Sequence, residues 1–130
     1  MTTAWAHLPN AARIDAVIAD ARARPDKWSA AHTKVWATAG AGDAWSAAWD
    51  ATWRAVQAAG RYDARDATRS AATGSSLDVI HALVAWDDCA YMLDLPSTTL
   101  RTMIDLCDAP VCHQAVLLMV GAMVKEVTLA

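Results

Sequence analysis

The chain of 130 residues contains no phenylalanine, one glutamate (Glu126) and three lysines (Lys27, Lys34 and Lys125). Its formal charge of -3 and pI of about 5.7 argue against a dominant nucleic-acid-binding surface, because neutralising phosphates requires clustered Lys and Arg. Cysteine is scarce. Cys89, Cys107 and Cys112 are odd in number, at no disulfide-framework spacing, and read as reduced, buried small hydrophobes of a cytoplasmic protein. The apolar run VLLMVGAMV, residues 116–124, falls far short of the roughly 20 residues that a bilayer span needs. The opening MTTAWAHLPN lacks a basic region followed by an apolar stretch, so no signal peptide is expected. No segment alternates polar and apolar residues with period two, so no sheet is expected, and no 20–50-residue period marks a solenoid. G-x-S-x-G is absent, and GAGD (40–43) lacks the preceding strand and the Lys of a phosphate loop.

What remains is rich in alanine, about a quarter of the chain, and in tryptophan, with seven residues. Alanine is the strongest helix former but buries little area, so a few large side chains must fill the spaces between close-packed helices. Asn10 is a plausible N-cap for AARIDAVIADARA, whose Ile14, Val17, Ile18 and Ala21 share one face. Pro25 ends that helix and Asp26 caps KWSAAHTKVWATA, with AGAG (39–42) as the next breaker. Asp43 is expected to cap a helix over Ala44–Ala59. On it Trp45, Trp49 and Val56 fall within about 40° of one another, flanked by Thr52 and Trp53. Residues 60–75 are polar and read as a connecting segment, either a solvated helix or a mobile link. Ser75 with Asp78 resembles a capping box for a helix over about 76–93, apolar nearly all round and therefore central. Ser97 should cap a short helix with Leu100, Met103, Ile104 and Cys107 on its buried side. Pro110 should open a last apolar helix. The expected fold is an all-α, single-domain bundle of about five to six helices spanning 1–130.

Several constellations invite chemistry. Cys107, Cys112 and His113 are close in sequence, but Cys-x4-Cys-His is no zinc spacing and the two thiols fall in different helices, so no metal or cofactor is expected. On a helix, Asp78, His81 and Asp88 share one stripe. Adjacent Asp87 and Asp88 would point about 100° apart. His81, Asp87 and Asp88 are the polar site to consider if a pocket exists, with Asp87 needing a partner if buried. Arg61, Arg65 and Arg69 align at i, i+4, i+8, a stripe that could meet phosphate but is interleaved with Asp63 and Asp66. Trp, Tyr and Arg are also the residue types of binding hot spots. One small domain should leave two or three of its seven tryptophans uncovered, beyond the apolar patch that monomers tolerate. Trp5, Trp28, Trp53, Arg61, Arg65 and Arg69 are therefore the candidate interface, with Trp49 and at least one more of its ladder expected inside the protomer.

AWDATWRAVQAAGRYDARDA, the later ALVAWDD and the apolar AVLLMVGAMV resemble, mainly in composition, small uncharacterised helical proteins of phages and prophages of high-GC hosts. The resemblance spans about residues 44–125. It implies a phage-encoded accessory that modulates a host system, with the bacterial cytoplasm as its location. The reading that emerges is a non-enzymatic protein acting through contact with a protein partner, as a homodimer or hetero-complex. Two alternatives stand beside it: a small helical enzyme or ligand-binding protein using His81, Asp87 and Asp88, and a nucleic-acid accessory factor using the Arg stripe.

Overall fold

The computed structural model describes residues 4–38, 41–106 and 108–128, and among these there is no β-strand. Seven α-helices follow one another: α1 (Ala11–Ala23), α2 (Pro25–Thr38), α3 (Ala41–Ala59), α4 (Tyr62–Ala71), α5 (Leu77–Ala85), α6 (Ser97–Leu106) and α7 (Val111–Val124). Short 3-10 turns cover Gly74–Ser76 and Ala90–Asp94. The count exceeds the five to six expected because the polar segment 60–75 contains α4. Gly60, at φ +67°, turns the chain out of α3 in a conformation that side chains with a Cβ rarely adopt. Ala64 and Thr68 then bury one face of α4, which packs on α5.

The α1 boundaries agree with the apolar face of Ile14, Val17, Ile18 and Ala21, all buried. Its cap does not. Asn10 stands at the N-cap position but makes no side-chain cap bond there. Its Nδ2 donates instead to the carbonyls of Leu83 and Trp86, at 3.0 and 2.8 Å. Asp26 and Asp43 likewise lie inside the first turns of α2 and α3 rather than before them, where they still favour the positive helix end. α2 opens on Pro25, whose missing N–H costs nothing there. Ser97 is the first residue of α6, and its N–H and hydroxyl donate to the Glu126 carboxylate. Pro110 precedes α7 by one residue. Cys107 and residues 39–40 of the AGAG breaker lie outside the described residues.

The expected helix over 76–93 ends at Ala85, where Trp86 becomes extended. The apolar pattern continues, so periodicity alone cannot place the break. Side chains from elsewhere satisfy the carbonyls that a continuing helix would have used. Asn10 serves Leu83 and Trp86, Arg61 Nη1 serves Val84 at 2.9 Å, and the Cys89 thiol lies 3.5 Å from the Ala82 and Trp86 carbonyls. α5 is nonetheless central, with Asp78 through Ala85 all buried. It shares that position with α7, which packs against α2, α3, α5 and α6. Gly121 permits the approach of α7 to the 90–94 turn, since a Cβ there would run into Leu93 and Val79.

Candidate functional site

The tryptophans are organised by their polar edges. A buried indole keeps one N–H that needs an acceptor. Trp5 donates to Asp15 and Trp28 to Asp20, both at 2.8 Å. Trp45 and Trp49, one turn apart on α3, donate to the two oxygens of Asp78, at 3.1 and 3.0 Å. Asp78 and His81 lie three residues apart on α5 and so share a face. They meet the indoles where α3 packs on α5. The His81 ring stands edge-on to Trp49, with centroids 4.5 Å apart, and its Nε2 is buried without a hydrogen-bond partner among the described residues.

Burial sets the electrostatics of this cluster. Asp78 is only 7% exposed, and desolvation raises its pKa above the ordinary carboxylate value. The two indole N–H groups and nearby His32 work in the opposite direction. His81, 2% exposed, is pushed down to about 4 by burial, with the charges of Arg65 and Arg69 adding to the effect. Its ring is therefore neutral at neutral pH. Rings continue outward from it: Trp49 to Trp45 at 5.4 Å, Trp45 to Trp36 at 5.3 Å, and Trp36 to His32 at 5.9 Å. The chain of rings begins in the core and passes through exposed Trp36 to His32, whose Nε2 accepts from the Trp36 indole.

The residues singled out from the sequence go to different places. His81 faces Trp49, while Asp87 is exposed and bound by both guanidinium nitrogens of Arg61, which hold its pKa low. Asp88 accepts from Gln114 Nε2 at 3.3 Å. The expected helical stripe of Asp78, His81 and Asp88 is also interrupted, because α5 ends before Asp88. Of the Arg stripe, Arg61 and Arg65 are largely buried and engaged: Arg61 with Val84 and Asp87, Arg65 with Asp66 and over the Trp53 ring at 4.3 Å. Arg69 alone of the three is exposed. Trp5 and Trp28, expected at an interface, are buried in the core, whereas Trp49, expected inside, is half-buried like Trp45. Asp78, expected to close a capping box with Ser75, instead gathers the two indoles, and Ser76 stands at the N-cap of α5 with no side-chain cap bond. The Asp78 signal was present: an acidic residue on an otherwise apolar helix needs a partner, but that partner lies 29 and 33 positions away.

Trp53, 37% exposed, makes an edge-on contact with exposed Tyr62 at 5.5 Å. Trp53 follows Trp49 by one turn of α3, so the strip of aromatic residues from Trp36 on α2 through Trp45, Trp49 and Trp53 to Tyr62 on α4 has exposed side chains at both ends. Among the described residues no group of three His, Cys, Asp or Glu could hold a metal ion. Cys89 is buried, and its thiol is pushed up to about 12 by burial and by Asp88, which suits packing rather than nucleophilic chemistry. No helix described is long and apolar enough to cross a membrane. In comparisons with known proteins the chain matches no family model, no curated protein and no solved structure.

Proposed function

We propose that the chain is a non-enzymatic binding protein that contacts a protein partner through the aromatic strip of α2, α3 and α4. The observation that carries this reading is the exposure of Trp36, Trp53 and Tyr62 at the two ends of one strip, with Arg65 laid over Trp53. Trp, Tyr and Arg are the side chains that dominate interface energetics, and contiguous aromatic exposure is costly for a protein that remains alone. The edge cluster at Asp78 supports the strip from below, fixing Trp45 and Trp49 through their N–H groups while leaving them half-buried. A pre-set aromatic surface loses little side-chain entropy on binding. The compositional resemblance of residues 44–125 to small phage proteins supports an accessory role in a bacterial host. The buried, unpaired thiol of Cys89 suits its cytoplasm.

An enzymatic reading would need His81, Asp87 and Asp88 in one place, and Asp87 is held by Arg61 instead. A phosphate-binding stripe would need free guanidinium groups, and two of its three are engaged. The test is recovery of partners from a high-GC bacterial lysate, followed by titration of the purified pair. Replacing Trp53 and Tyr62 together by Ala should weaken binding by about a hundredfold, as loss of two hot-spot side chains does. Unchanged affinity in that double variant would remove the strip from the interface.

A further inference from the structure

A cleft of about 370 Å³ opens where α2, α6 and α7 meet, lined by Lys34, Ser97, Thr98, Arg101, Met119 and Met123. Each helix offers one face to it. Ser97 and Thr98 lie within about 60° of Arg101 around α6, and Met119 and Met123 within about 40° of each other around α7. Lys34 sits roughly 160° around α2 from Trp36, so the cleft is turned away from the aromatic strip. Met119 and Met123 are buried and form an apolar floor, while Lys34 and Thr98 are exposed and Arg101 is half-buried. Both charges in the lining are positive, and among the described residues no carboxylate lines the cleft. Glu126 stands to one side, held by the Ser97 N–H and hydroxyl at 3.0 and 2.9 Å.

We propose that this cleft binds a small amphipathic anion, a carboxylate or phosphate head on a short apolar tail. Lys34, Arg101 and the Thr98 hydroxyl meet the head, and Met119 and Met123 take the tail. The planar fork of an Arg matches a carboxylate or phosphate with two parallel hydrogen bonds, and a Lys adds a second positive charge. Methionine is flexible and polarisable, which suits a tail of irregular shape. The volume falls at the small end of ligand sites. Lys34 and Arg101 also take part in interactions within the chain. An ammonium carries three donors and a guanidinium five, so each can keep a partner and still donate to a ligand. The site is independent of the aromatic strip and of the partner proposed for it.

The test is a titration of the full chain, labelled at its methionine methyl groups, with octanoate, octyl phosphate, octanol and inorganic phosphate. Octanoate or octyl phosphate should shift the Met119 and Met123 methyl resonances saturably, with a Kd below about 1 mM, and the tighter of the two identifies the head. Octanol has the tail without the charge, and inorganic phosphate the charge without the tail. Each should bind at least about tenfold more weakly than the better anion. Lys34→Gln and Arg101→Gln should each weaken that anion about tenfold. Lys34 is exposed, so its variant should keep the wild-type circular-dichroism signal. The Trp53→Ala, Tyr62→Ala double variant should bind the anion like wild type. Absence of a saturable shift at Met119 and Met123 would overturn the proposal. So would octanol or inorganic phosphate binding as tightly as the amphipathic anions, or wild-type affinity in Lys34→Gln and Arg101→Gln.

Discussion

Asp20 and Asp78 both anchor tryptophans by their indole N–H groups, yet their acidities move in opposite directions. Asp20 accepts from Trp28 and is also met by Arg24, one turn along α1, at both carboxylate oxygens. The Arg24 hydrogen bonds, aided by Trp28, hold its pKa below the usual value against modest desolvation. Asp78 accepts two indole N–H groups in a buried setting, and desolvation outweighs them. The tryptophans differ accordingly. Trp28 is 3% exposed and sealed by its own chain, while the Asp78 pair is half-buried and continues into exposed Trp36 and Trp53. One indole–carboxylate unit closes a core and the other supports an open surface. The same residue pair can therefore sit in a sealed core or beneath an open surface, depending on whether a cation and a cover are supplied.

The contrast can be broken first at the rings. Trp28→Ala should cost about 4 kcal/mol, the loss typical of a large buried aromatic. Trp53→Ala should cost about 1 kcal/mol, limited to its edge contact and the Arg65 stacking. Urea denaturation midpoints measure both, and equal losses would dissolve the distinction between core and strip. Next come the carboxylates. Asp78→Ala strands two N–H groups in the interior and should cost about 3 kcal/mol, whereas Asp20→Ala, at a partly open site, should cost about 1 kcal/mol. A larger effect at Asp20 would reverse the comparison.

A further contrast is a pH dependence specific to the Asp78 cluster, in which two titrations oppose each other. His81 has an ordinary pKa of 6.5 and a folded value of about 4. Between these the unfolded chain binds more protons, so the contribution is fully present above about pH 6.5 and is lost as pH falls towards 4. It amounts to at most about 3 kcal/mol. Asp78 opposes it. Its raised folded pKa lets the folded state take up a proton first, which adds stability as pH falls. Stability measured from pH 7 to 4 should slope less in His81→Leu than in wild type, and parallel curves would show that His81 is not the titrating group.

Much of the fold was legible in local pattern. α1 matches its apolar face because Ile14, Val17, Ile18 and Ala21 bury the stripe that periodicity defines. α4 was ambiguous because its sequence is polar apart from scattered alanines and Tyr62, and α5 supplies the packing for Ala64 and Thr68. The end of α5 was hidden for a different reason. Leu93 and Met92 continue the apolar pattern, and the groups that stop the helix, Asn10 and Arg61, arrive from 73 and 23 positions away. The tryptophan-based site was half visible. The ladder on α3 was evident, but which rings would be covered was not, since exposure depends on what α2, α4 and α5 place beside each ring.

By itself the sequence determined an all-helical chain and the apolar stripe of α1, because helix formation and one-sided burial follow from residues three and four apart. Only the tertiary structure decided where α5 stops, that Asp78 rather than Asp87 joins the tryptophans, and that Trp28 is sealed while Trp53 is open. Hydrogen-bond partners and solvent cover come from residues distant along the chain, and no local period encodes which of them will meet.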